Sequence, residues 1–170
     1  MKRRPRPGAL CVAIAMTAHA ATVGCTPASK DAWIDGVSPL RPELIARWTE
    51  ITVRCPPRNG CADEPVTEML AVGTLLDRFG KQDGAFFSPR GVGFRARSMP
   101  YVCSQLDYSI YRVEKPLPVD TCRAAPWFGE PGGGLTHKST ESAAQLIERG
   151  YLSTVAFMPA GGPDQSRPCD

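Results

Sequence analysis

One stretch constrains this chain more than any other: Pro126-Trp127-Phe128-Gly129-Glu130-Pro131-Gly132-Gly133-Gly134. Two large aromatics stand beside a loop that only glycine fills. Glycine tolerates positive φ and lets another group approach the backbone closely. A flat, rigid Trp-Phe platform next to bare backbone suits a planar ring and a phosphate, which points to a nucleotide. The plainer alternative is a surface turn beside two core aromatics. No Gly-Lys-Ser/Thr follows the triplet, so it is not a phosphate-binding P-loop.

The start of the chain reads as a targeting segment. Lys2, Arg3, Arg4 and Arg6 form a basic leader, Ala9 to Thr17 is an apolar run, and Ala18-His19-Ala20 is a small-x-small cleavage signal. That is the anatomy of a secretory signal peptide over residues 1–20, too short for a membrane span. Lipid attachment at Cys25 is the weaker rival, because Thr22-Val23-Gly24 lacks an aliphatic residue at its start. The expected location is therefore secreted, extracellular.

Cleavage after Ala20 changes the charge and the cysteine count. It removes four of the 20 basic residues and none of the 17 acidic ones, so the mature chain is close to neutral. Such a balance leaves no electrostatic footprint for nucleic acid or for an anionic membrane. Cys25, Cys55, Cys61, Cys103, Cys122 and Cys169 remain, and six cysteines in an exported chain read as three disulfides of undecided connectivity. A zinc site is disfavoured, since no Cys-x2-Cys pair exists and His137 is the mature chain's single histidine. No residue set calls for a metal or a cofactor.

Residues 21–63 read as an N-terminal elaboration and 64–170 as the main domain. Pro39, Pro42, Pro56 and Pro57 interrupt the first part, with one short helix over Pro42 to Glu50 placing Leu44, Ile45 and Trp48 inward. Further on, Leu75-Leu76-Asp77-Arg78-Phe79-Gly80 precedes the turn Lys81-Gln82-Asp83-Gly84. An arginine beside a phenylalanine offers a fork for phosphate and a ring face for a cationic ring. As plain structure, Arg78 pairs with a carboxylate and Phe79 is core. A strand is expected from Tyr108 to Glu114, β-branched and aromatic, stopped by Pro116 and Pro118. Ser139 is the expected cap of a helix through Ala143, Leu146 and Ile147, with Gly150 at its C′ position. Tyr151 to Phe157 reads as a closing strand. Mostly strands with few helices means α+β.

Taken in order, these blocks resemble a known family. Leu-Leu-Asp-Arg-Phe-Gly, Asp-Gly-x-Phe, Arg-Ser-Met-Pro, Tyr-Arg-Val-x-Lys-Pro-Leu-Pro-Val, Ala-Pro-Trp-Phe-Gly-x-Pro-Gly-Gly-Gly and Leu-Ile-x-x-Gly-Tyr-Leu are similar to the tuberculosis necrotizing toxin (TNT) domain, over about residues 70–157. That family includes secreted fungal NADases. The resemblance implies a small fold of crossed antiparallel sheets, distantly like ADP-ribosyltransferases, that splits the nicotinamide–ribose bond of NAD. It implies catalytic roles for Arg78 and Arg97, holding the pyrophosphate. It also implies substrate contacts from Phe79, Phe86, Trp127 and Phe128, and from the loop at Gly133 and Gly134. NAD is then the substrate rather than a cofactor, and a homodimer is left open.

One position departs from the pattern. The family carries a catalytic glutamine two residues after the glycine triplet, and Thr136 stands there. A threonine hydroxyl reaches less far than an amide. Three outcomes follow from this: a hydrolase, an ADP-ribosyl cyclase in which the substrate's adenine outcompetes water, or an inactive NAD-binding relative. His137 is either a surface residue or an acid–base group near the ribose.

Overall fold

The computed structural model describes residues 40–47, 50, 55–162 and 167–170. The expected leader, the two cysteines before residue 40 and Trp48 lie outside these residues. Seven strands dominate: Val66–Leu70 (β1), Leu75–Phe79 (β2), Phe86–Pro89 (β3), Tyr108–Val113 (β4), Leu117–Arg123 (β5), Leu135–Lys138 (β6) and Leu152–Met158 (β7). Two short helices accompany them, Pro42–Ile45 (α1) and Ala143–Glu148 (α2). No helix among the described residues is long and apolar enough to cross a membrane.

The strands run in the order β1-β5-β6-β3-β2-β4-β7, every pair antiparallel. β3 is the joint between the halves. Its Phe86 and Phe87 pair with β6, while Ser88 and Pro89 pair with β2. The α+β class expected from the sequence, and the antiparallel pairing that the family resemblance implied, are what the fold shows.

Strand alternation sends neighbouring side chains to opposite faces, and β2 uses both faces. Leu76 joins a core with Phe87, Tyr111, Val113 and Leu146 of α2. Phe79 joins a second core with Phe94, Leu106, Tyr108 and Ile110. β4 serves both cores, which is why five of its six residues are buried. It ends at Val113, one residue before the expected end.

Two local expectations need correction. Ser139 does not cap α2; its amide bonds to the Ala85 carbonyl and its hydroxyl accepts from the Glu141 amide. Ser142 is the cap, in a reciprocal capping box with Gln145. Ser-x-x-Gln is a legible start signal, and Gly150 does follow the helix at φ +70°. The second correction is α1, which covers only Pro42–Ile45, with Leu44 buried and Ile45 exposed.

Disulfides Cys61–Cys122 and Cys103–Cys169 join residues 61 and 66 positions apart. Cys55 is disulfide-bonded as well. Closing loops of this length stabilises the fold by about 4 kcal/mol each through the unfolded chain. The tail is fastened further. Buried Arg167 donates to the Leu106 and Pro159 carbonyls, and the Phe94 amide donates to the Pro168 carbonyl.

Candidate active site

A cleft of about 930 Å³ opens where β2 ends, a size ordinary for small-molecule sites. β2 and β3 supply Arg78, Phe79 and Phe86, and β6 supplies Thr136. Further walls come from the chain at 97–101 and at 105–107, with smaller parts from 56–60, 80–83 and Ala160. Two single-turn 3₁₀ segments, Arg95–Arg97 and Cys103–Gln105, set those walls.

Arg78 is half-buried and has no carboxylate within 4.0 Å among the described residues. Its Nε donates to the Lys81 carbonyl at 2.9 Å and its Nη1 to the Phe86 carbonyl at 2.8 Å. Those bonds orient the guanidinium without neutralising it. Burial pushes its pKa below the usual arginine value, opposed by nearby Tyr101, Tyr111 and Asp83. The group stays charged at neutral pH, poorly hydrated, and suited to a phosphate. Gly84 makes room for it: a Cβ there would sit 1.7 Å from Arg78 Nη2.

Arg97 is placed differently. Its side chain is 8% exposed and its Nη2 donates to the buried Asp77 carboxylate at 2.5 Å. Nε and Nη2 also reach the Val92 carbonyl at 3.0 and 2.6 Å. The guanidinium carbon lies 4.9 Å from the centroid of the Phe79 ring. Of the two arginines in this wall, Arg97 faces inward, while exposed Arg95 pairs with Glu130.

The cleft therefore gathers Arg78, Arg97, Phe79, Phe86 and Thr136. Phe86 stands at 43% exposure at the mouth, whereas Phe79 is nearly enclosed. The Thr136 hydroxyl donates to the Phe87 carbonyl at 3.3 Å. Trp127, Phe128, Gly133, Gly134 and His137 do not line the cleft. Phe128, at φ +55°, packs instead with Leu40, Leu44 and Tyr101.

Two glycines of the triplet, Gly132 and Gly134, approach protein backbone, and Gly133 faces open space. A Cβ on Gly132 would lie 2.6 Å from the Ala124 carbonyl oxygen, and one on Gly134 2.7 Å from that of Ala96. The Gly134 amide donates to the Ala96 carbonyl at 2.9 Å. Glu130 joins Arg41 to Arg95. The loop thus braces the Arg95–Arg97 turn from outside.

His137 follows Thr136 on β6 and so takes the opposite face. It is buried, with Nδ1 2.7 Å from the Thr121 hydroxyl and 3.3 Å from Glu68. Burial lowers its pKa, partly offset by Glu68. Neither a surface position nor one beside the cleft describes it.

Several residues that line the cleft or support its walls escaped the sequence reading. Asp77 stood inside the Asp-Arg-Phe block, and Gly84 was visible only as a turn glycine. Tyr101 and Gln105 carried no local signal, because the fold alone brings their turns to the end of β2.

A family model described as tuberculosis necrotizing toxin matches residues 69–155, just over half of the chain. A curated relative, the conidial surface nicotinamide adenine dinucleotide glycohydrolase of Aspergillus fumigatus, is 34% identical over 130 residues. The match covers 65% of this chain and 55% of that protein, so the chain spans about half of its relative's length. Among solved structures, the tuberculosis necrotizing toxin complexed with its immunity factor aligns with a TM-score of 0.52 at 21% identity. That alignment covers 59% of this chain and 60% of the other, and it establishes a shared fold.

Proposed function

We propose that this chain, which belongs to the tuberculosis necrotizing toxin family, is an exported NAD glycohydrolase that releases nicotinamide and ADP-ribose. The observation that carries the reading is Arg78: a partly desolvated guanidinium, free of any carboxylate partner among the described residues, in a cleft of ligand size with Phe79 and Phe86. The relative named as a glycohydrolase supports the same chemistry. The disulfides support an oxidising compartment.

In this reading Arg78 holds the pyrophosphate and the exposed ring of Phe86 meets the cationic nicotinamide ring. The C1′–N bond breaks with its electron pair going to the nicotinamide nitrogen, which becomes neutral. The ribose passes through an oxocarbenium-like state, and water adds at C1′ and loses a proton. Thr136 is the polar side chain of β6 at the cleft, its hydroxyl engaged by the Phe87 carbonyl. No observation here favours adenine over water as the attacking group, so hydrolysis is the reading.

The test is chromatography of a complete NAD digest by the oxidised protein. Nicotinamide and linear ADP-ribose are expected in equal amounts. Cyclic ADP-ribose as the main product would replace hydrolysis by cyclisation. NAD-dependent thermal stabilisation without turnover would leave a binding protein.

A further inference from the structure

Asp77 has no part in the reading above, yet it is a fully buried carboxylate one residue before Arg78. Its Oδ1 accepts from Arg97 Nη2 at 2.5 Å, and its Oδ2 accepts from the Tyr108 hydroxyl at 2.6 Å and the Gly91 amide at 2.9 Å. A buried carboxylate without partners is costly; three donors from three segments satisfy this one. Tyr108 is committed in turn, since burial and its bond to Asp77 both push its pKa up.

The other end of the pair is equally constrained. With Nε and Nη2 on the Val92 carbonyl and the ring of Phe79 beneath, only Nη1 of Arg97 has no partner among the described residues. An arginine used as an adaptable anion ligand is not normally neutralised and pinned at four points. Arg78 shows the opposite arrangement, with two carbonyls and no acid.

We propose that Asp77 is a positioning residue. It neutralises Arg97 and locks the guanidinium over Phe79, which fixes the wall at 97–101 and leaves Arg78 as the charge that meets the pyrophosphate. This inference rests on the NAD-cleaving reading. A lost charge partner would let Arg97 swing toward the cleft, and a misplacement of about 1 Å in a catalytic wall costs on the order of 10²-fold in rate.

A double-mutant cycle tests the link. Asp77→Asn keeps the shape of the side chain and removes its charge; Arg97→Gln removes the partner. Each is expected to lower kcat/KM by about 10²-fold, mainly in kcat. The double variant is expected to be no worse than Arg97→Gln alone, because Asp77 acts through Arg97. Losses that multiply would overturn the proposal, as would full activity in Asp77→Asn. A loss carried by KM alone in Arg97→Gln would make Arg97 a substrate ligand and overturn it too. Should Asp77→Asn fail to fold, Tyr108→Phe carries the test. It removes one donor to Oδ2 and should cost about 5-fold in kcat/KM, with no further loss when added to Arg97→Gln; multiplying losses there count against the proposal equally. A wild-type protein that releases no nicotinamide removes both readings, whereas an active wild type with multiplying losses removes this one alone.

Discussion

In β2, consecutive side chains enter three different environments. Leu76 packs into one core, Asp77 is sealed in an ion pair, and Arg78 reaches a cleft with its charge unanswered by any acid among the described residues. In the loop at 126–134, by contrast, Gly132 and Gly134 press against the protein's own chain, at Ala124, Ala125, Ala96 and the Val92 side chain, while Gly133 faces open space. The loop has the more conspicuous composition and β2 has the cleft. A glycine run signals that something comes near the backbone; it does not say whether that is a phosphate or another strand.

This contrast can be broken by substitution, and Arg78→Ala should give the largest effect. Losing its charge should lower kcat/KM for NAD by about 10²–10³-fold. The melting temperature should barely move, because its bonds are to carbonyls at the cleft edge. Comparable kcat/KM in Arg78→Ala and wild type would put the site elsewhere.

Gly84→Ala should come next. The added methyl would occupy the seat of Arg78 Nη2, and the flexible arginine tip, not the backbone, would give way. Activity should drop by up to about 10²-fold through misplacement of the guanidinium, with thermal stability close to wild type. A variant that unfolds instead would show that the guanidinium is more rigidly held than its two bonds indicate.

In the loop the order of effects reverses. Gly134→Ala drives a methyl against the Ala96 carbonyl oxygen, a backbone atom that cannot turn aside. The expected cost is about 1–3 kcal/mol of stability, read from denaturant unfolding. A variant of full stability with lost NAD turnover would restore the loop to a direct role at the substrate.

The smallest expected effect is one of pH, on the far face of β6. Burial depresses the His137 pKa, so the folded state binds this proton less readily than the unfolded chain does. Stability from this group is complete above the ordinary value of 6.5 and is lost as pH falls through the lower folded pKa. Between pH 7 and pH 5 the melting temperature should fall by about 2 °C more in wild type than in His137→Gln. The kcat/KM of His137→Gln should follow that of wild type, because the ring faces away from the cleft.

The sequence by itself determined the fold class and the strand that carries the candidate site. Strand periodicity in Tyr108–Val113 and the turn at Asp83-Gly84 placed the sheet, since alternation and turn chemistry are local. The Leu-Leu-Asp-Arg-Phe-Gly block marked β2, and the order of the motifs marked the family. Tertiary structure alone decided which of these residues meet. A strand pattern does not say which face Thr136 or His137 takes, nor that two 3₁₀ turns at Arg95–Arg97 and Cys103–Gln105 wall the end of β2. The fates of Arg78 and Arg97 separated for the same reason. Both are arginines beside aromatic rings, and the position of one buried carboxylate, Asp77, separates them: it pairs with Arg97, and Arg78 has no acid partner among the described residues.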